Sequence, residues 1–243
     1  MGSVWKKQGK VFFIFLGLQA LGIYIANLFF SQSALGEISL ADRLIWGYSP
    51  FENGVFLMPI PLLSLMWLNR YSNLKDRTVR FKSRIQITKN KIKTEGALSF
   101  IFTLEYLLVS AVIGSFDASL INWQDTNSLF FSLKQFVFQG SFSQVLLYTI
   151  LSYFFILFIA LLLFDLVYII FNHYFFSWIV ILYIIVWDLF NKTKLSILFR
   201  RFHIDYSFYI GDENFWGRIA WAVVFAILLL FLKYVLGNKR DFM

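Results

Sequence analysis

Asn69–Lys93 reads NRYSNLKDRTVRFKSRIQITKNKIK, and it orients everything on either side of it. It holds nine basic residues (Arg70, Lys75, Arg77, Arg80, Lys82, Arg84, Lys89, Lys91 and Lys93) against one acid, Asp76. Strongly apolar sequence flanks it in both directions. Lys and Arg between two membrane spans are retained on the cytoplasmic side, so a block this basic marks the inside. It is also the one large cytoplasmic surface that the sequence offers to a partner.

The rest of the composition agrees with a lipid solvent. The chain of 243 residues is 59% hydrophobic and 21% aromatic, with 31 Phe. A water-soluble domain of this size could not hide so much apolar surface. The formal net charge of +8 would suggest nucleic acid in a soluble protein. Here it falls mainly on segments placed inside, so it reads as topogenic charge and attraction to anionic lipid, with no nucleic-acid partner. With no cysteine, disulfides, thiolate metal sites and Cys catalysis are excluded.

Before the block lie two spans. Val11–Phe30 is twenty uncharged residues, enough to cross a hydrocarbon core and too long for a signal-peptide core. Gly22 and Ala26, four apart, offer a face for close helix packing. Residues 54–68 form a second, short span containing Pro59 and Pro61. Each proline removes a backbone donor and forces a bend, which is either a packing kink or the wall of a substrate path.

After the block, residues 96–114 form a third span with Glu105 near mid-membrane. A carboxyl at that depth is costly and faces a bundle interior or cavity. It is either a neutral hydrogen-bonding group or part of a polar path. Residues 145–171 and 174–187 form a fourth and a fifth span, with Asp165 near the inner end of the former and a tight turn at Asn172-His173. Residues 219–236 form the sixth, with Lys233 expected to snorkel toward the inner water. SLFFSLKQFVF, starting at Ser128, reads as an outer segment lying at the interface, and the aromatic outer loop at residues 188–217 as one that either dips into the interface or re-enters the bundle.

Six spans place both termini inside. Fifteen of the 22 basic residues then lie inside and seven outside. No GxxxxGK[ST], GxSxG or HExxH occurs. The chain thus shows no nucleotide site, and it is expected to be neither an enzyme by itself nor the holder of a metal or cofactor.

The arrangement resembles the permease subunits of type-2 ABC exporters, closest to the small permeases of antimicrobial-peptide and lantibiotic resistance systems in Gram-positive bacteria. Val79-Arg80-Phe81-Lys82-Ser83-Arg84 is similar to their R-[FY]-x-S-R signature after the second span. Lys239-Arg240-Asp241 is similar to their basic-plus-Asp ending. The resemblance implies an all-α integral membrane protein of the type-2 exporter fold, one permease domain over residues 1–243 with a cytoplasmic coupling segment at 69–95, in a bacterial cell membrane. It implies that Arg77, Arg80, Phe81, Ser83 and Arg84 contact separate ABC ATPase subunits, which bind ATP and Mg. A second permease copy or paralogue would complete the assembly. The substrate would be an amphipathic peptide or lipid-like molecule, its path shaped by Glu105, Pro59 and Pro61. The alternative is a non-transporting immunity or sensor protein that binds a peptide or partner through aromatic outer loops.

Overall fold

The computed structural model describes residues 2–46, 53–72, 84–117, 119–190, 204–211 and 213–239. Apart from an isolated bridge between Glu37 and Ser128, the regular structure among them is helical. The elements are α1 Gly2–Ser33, α2 Leu40–Trp46, a π-helical turn Asn53–Leu57, α3 Pro59–Ser72, α4 Arg84–Gly114, α5 Leu129–Lys134, α6 Phe142–Phe171, α7 Tyr174–Phe190, α8 Ser207–Ile210 and α9 Phe215–Lys239. Four stretches are long and apolar enough to cross a bilayer: Gly9–Ser33, Gln86–Gly114, Phe142–Phe171 and Phe215–Leu236. Val55–Arg70 and Tyr174–Asp188 are shorter apolar helical stretches beside them.

Helix α6 is the axle. It is the most apolar of the four long helices, and 56% of its most apolar stretch is buried against 28–33% for the others. Helices α9, α4 and α7 pack on it, and α1 lies against α4. The outside of the bundle is greasy: Phe13, Leu108, Val112, Tyr183, Val224 and Phe231 are each 62–72% exposed. Inside lie Gln19, Asn27, Ser99, Thr103, Ser110, Thr149 and Ser152, all at most 2% exposed. Apolar outside and polar groups within is the arrangement that lipid selects, and the fold fits an all-helical membrane protein.

Two local expectations change, and one helix is longer than the apolar run read as a span, residues 96–114. Helix α4 starts at Arg84, so Arg84, Lys89, Lys91 and Lys93 ride on its first turns. Arg, Lys, Gln and Glu are strong helix formers and residues 84–95 contain neither Gly nor Pro, so the helix continues past the end of the apolar run. The prolines do not kink a helix interior. Pro59 opens α3 and Pro61 lies in its first turn, where a missing N–H costs little. The Pro59 carbonyl accepts from Trp178 Nε1 of α7 at 3.3 Å, and the Pro61 carbonyl accepts from Ser64 Oγ at 2.7 Å. Lys233 does not snorkel, as described below.

Two other expectations hold. Asn172 ends α6 at φ 56°, donating its N–H to the Tyr168 carbonyl, and His173 Nδ1 accepts the Phe176 N–H at 3.1 Å, capping α7. Gly22 and Ala26 are packed: Ala26 is buried, and a Cβ on Gly22 would lie 2.9 Å from the Phe56 carbonyl oxygen. That neighbour is backbone and cannot rotate away. Gly22→Val is therefore expected to push α1 off the π-helical turn at a cost of about 1–3 kcal/mol, read as a lowered thermal midpoint in detergent, whereas Gly17→Val, with nothing within 4 Å, leaves it unchanged.

The end away from the basic turns is closed by an aromatic cap. Asp42 Oδ1 accepts from Trp123 Nε1 at 2.8 Å and from the Tyr206 hydroxyl at 2.6 Å. Its Oδ2 accepts from the Ser39 N–H at 2.8 Å and from Ser39 Oγ at 2.7 Å. Beside it Arg43 Nη2 donates to Asp117 Oδ1 at 2.7 Å, and Arg43 Nη1 donates to Ser31 Oγ at 3.0 Å. SLFFSLKQFVF contributes α5, whose Ser128 caps it by accepting the Phe131 N–H.

Candidate functional site

Four charged side chains from three helices meet in the interior near the basic end of the bundle. On α4, Lys91 and Glu95 are four residues apart and so share one face. Asp165 comes from α6 and Lys233 from α9. Glu95, Asp165 and Lys233 are 0% exposed and Lys91 is 7% exposed. Lys233 Nζ donates to Glu95 Oε1 at 2.5 Å and lies 2.9 Å from Asp165 Oδ2. Lys91 Nζ donates to Asp165 Oδ1 at 3.2 Å. Asn69 Nδ2, from α3, reaches the same oxygen at 3.3 Å. Lys91 also sits over the Tyr168 ring, 5.3 Å from its centroid, and that ring stacks on Tyr174 at 3.9 Å.

The formal charges of this quartet sum to zero, two ammonium groups against two carboxylates. Neutrality is what makes it tolerable: an isolated charge buried here would cost several kcal/mol, and opposite charges at hydrogen-bond distance offset most of that. The offset is incomplete, because Glu95 Oε2 is buried without a hydrogen-bond partner among the described residues. Apolar residues of similar volume would hold these three helices together at least as well. Ionisable groups within membrane helices generally mark function, and this cluster is the candidate site.

Above the quartet, α4 continues the same buried stripe with small hydroxyl residues. Ser99 Oγ donates to the Glu95 carbonyl at 2.8 Å, and Thr103 Oγ1 donates to the Ser99 carbonyl at 2.7 Å. Such back-bonded hydroxyls satisfy themselves within the helix and need no water. Among the described residues, no three His, Asp or Glu side chains converge as metal ligands.

The residues singled out from sequence fall elsewhere. Arg77, Arg80, Phe81 and Ser83 lie outside the described residues, and Arg84 is the first residue of α4. Pro59 and Pro61 stand at the head of α3, as described. Glu105 is in α4, partly buried, with Oε2 buried and without a hydrogen-bond partner among the described residues. Glu95 and Lys91 were not picked out, although an oppositely charged pair at i, i+4 at a span boundary was visible. Asp165 and Lys233 each stand six residues before the end of their helices, at 171 and 239, and that common depth was the available clue to their pairing.

No protein-family model, no curated protein and no solved structure matches this chain.

Proposed function

We propose that the chain is the permease subunit of an ATP-binding-cassette exporter, powered by a separate ATPase. In this reading six helices cross a bacterial cell membrane with both termini cytoplasmic, and a second permease copy or paralogue completes the assembly. The substrate is an amphipathic peptide or lipid-like molecule. The chain hydrolyses nothing itself.

One observation supports the reading above the others. Helix α4 is continuous from Arg84, at the foot of the basic segment, through Lys91 and Glu95 to Gly114. Its charged turns are joined by ion pairs to α6 and α9. A rigid rod that carries the basic segment at one end and clasps two neighbours on the way is a lever. An ATPase pushing on residues 77–84 would displace the helices at the quartet together, biasing the bundle between two packings. The ion pairs then act as a latch that holds one of them.

The test is association. The chain expressed in bacteria with a P-loop ATPase partner is expected to co-purify with it, and Arg80→Glu with Arg84→Glu is expected to lower recovery of the ATPase about tenfold, the loss of two charge-assisted contacts. Unchanged association and transport in that double variant would overturn the coupling assignment. The aromatic cap favours the second reading, an immunity or sensor protein that binds through its outer face. That reading requires full activity from the chain alone in cells lacking any partner ATPase.

A further inference from the structure

The outer face of α4 changes character along its length. Lys89, Lys93, Ala97, Phe100, Leu104 and Leu108 are all exposed, and their spacing of three or four residues puts them on one face of the helix. On the opposite side of the same turns Lys91, Glu95, Leu98 and Phe102 are buried. The exposed stripe is basic over its first turns and apolar above them. Neither Lys89 nor Lys93 makes a hydrogen bond or ion pair among the described residues. No exposed carboxylate balances them there either, because Glu95 and Asp165 are enclosed in the quartet. Lys10 of α1 and Arg70 of α3 are exposed as well and add charge of the same sign. Both stand at this end of the bundle. Ser31, at the far end of α1 from Lys10, is bonded to Arg43 in the cap, and Asn69, beside Arg70, reaches Asp165.

Depth selects what covers this stripe. A helix rises about 15 Å in ten residues, the hydrocarbon depth of one leaflet. With Ala97 at the edge of the hydrocarbon, Phe100 and Leu104 lie within that leaflet, and Lys93 and Lys89 stand at headgroup level. Side chains four apart on a helix have Cβ atoms about 5–6 Å from each other. Two ammonium groups so placed can each donate to one of the two free oxygens of a phosphodiester. A zwitterionic lipid would bring its own cation into a field that is already positive, whereas a net anionic one complements it. We propose that the α4 stripe binds one anionic phospholipid of the leaflet at the basic end, its phosphate held by Lys89 and Lys93 and one acyl chain laid along Ala97, Phe100 and Leu104. The site goes beyond the permease reading and needs no ATPase. Headgroup and quartet then grip the same turns of α4 from opposite sides, fixing the height of the helix in the bilayer.

The experiment uses the purified full chain in an uncharged detergent, with phosphatidylglycerol and phosphatidylcholine of identical acyl chains as probes and native mass spectrometry as the readout. Phosphatidylglycerol is expected to be held about thirtyfold more tightly, the worth of two lysines at an anionic surface. Lys89→Gln with Lys93→Gln is expected to abolish that preference. Lys10→Gln with Arg70→Gln removes as much charge from the same end and is expected to keep most of it. All four side chains are exposed and lie outside the quartet, so both double variants are expected to unfold like wild type. A phosphatidylglycerol carrying a diazirine in its chain is expected to label residues 97–104. Equal retention of the two lipids by wild type overturns the site. Equal loss of preference in the two double variants also overturns it, since the attraction is then diffuse surface charge. Displacement of the lipid by glycerol phosphate, which has the headgroup chemistry without the chains, would mean a soluble phosphate site and overturn the lipid assignment.

Discussion

Asp165→Ala is expected to destabilise the bundle by roughly 3–5 kcal/mol, the cost of stranding a buried charge, enough to remove most of the folded protein from the membrane fraction. Asp165 is the acid on which Lys91, Lys233 and Asn69 all converge. Without it two lysines face one glutamate in a buried space, and the excess positive charge has almost no access to water. The size of the loss comes from the stranded partner and says little about the net worth of the pairs. Restoring neutrality distinguishes the two. Asp165→Asn combined with Lys91→Met removes one charge of each sign and leaves the Lys233–Glu95 pair intact. That double variant is expected to recover most of the stability lost in Asp165→Asn, giving a favourable coupling between the sites, measured by unfolding in detergent. If the chain is the permease proposed above, its transport stays impaired in that double variant, because a latch without opposed charges does not hold one packing over another. If Asp165→Ala accumulates and unfolds like wild type, the quartet is not closed as described.

What was legible in the sequence was mostly depth and periodicity. The turn at Asn172-His173 showed because two polar residues interrupt a long apolar run, and one of them, Asn172, tolerates the left-handed conformation found there. The Gly22–Ala26 face showed because small residues four apart are a local pattern. Other features lay beyond local pattern. The start of α4 is set by helix propensity, whereas the edge of the apolar run marks only where lipid gives way to water, so the apolar run alone did not show how far the helix extends. Lys233 looked like a snorkelling lysine because that rule considers one residue near one helix end. Its fate depends on Glu95, 138 residues away, and on Asp165 of α6, the helix against which α9 packs. Glu105 stood out by being the one charged residue in the apolar run 96–114.

Trp123→Ala is expected to open the aromatic cap while leaving the helices beneath it standing. The indole is 1% exposed and lies 5.1 Å from the Phe130 ring, 5.4 Å from Tyr206 and 5.3 Å from Tyr209. Gly140 backs it so closely that an added Cβ would collide with Trp123 Cε3. Truncating a residue so enclosed costs about 3–5 kcal/mol, and Asp42 Oδ1 loses one of its two donors as well. Hydrogen exchange is the discriminating measurement. Amides of residues 37–44, 119–130 and 204–211 should lose protection, and those of α6 should keep it. Asp42 adds a pH signature. Burial pushes its carboxyl above the usual 3.8, against the hydrogen bonds from Tyr206, Ser39 and Trp123 that favour the ionised form. A carboxyl whose folded value is raised holds its proton more tightly when folded. The stability it confers is therefore complete below the unfolded value near 3.8 and lost as pH rises through the folded one. Protection of the cap in the wild type should fall over that window, and in Asp42→Asn, which has no proton to lose, the slope should vanish. Exchange in Trp123→Ala that matched wild type across these three segments would mean that the cap is held by the helix ends alone, with the indole only filling space.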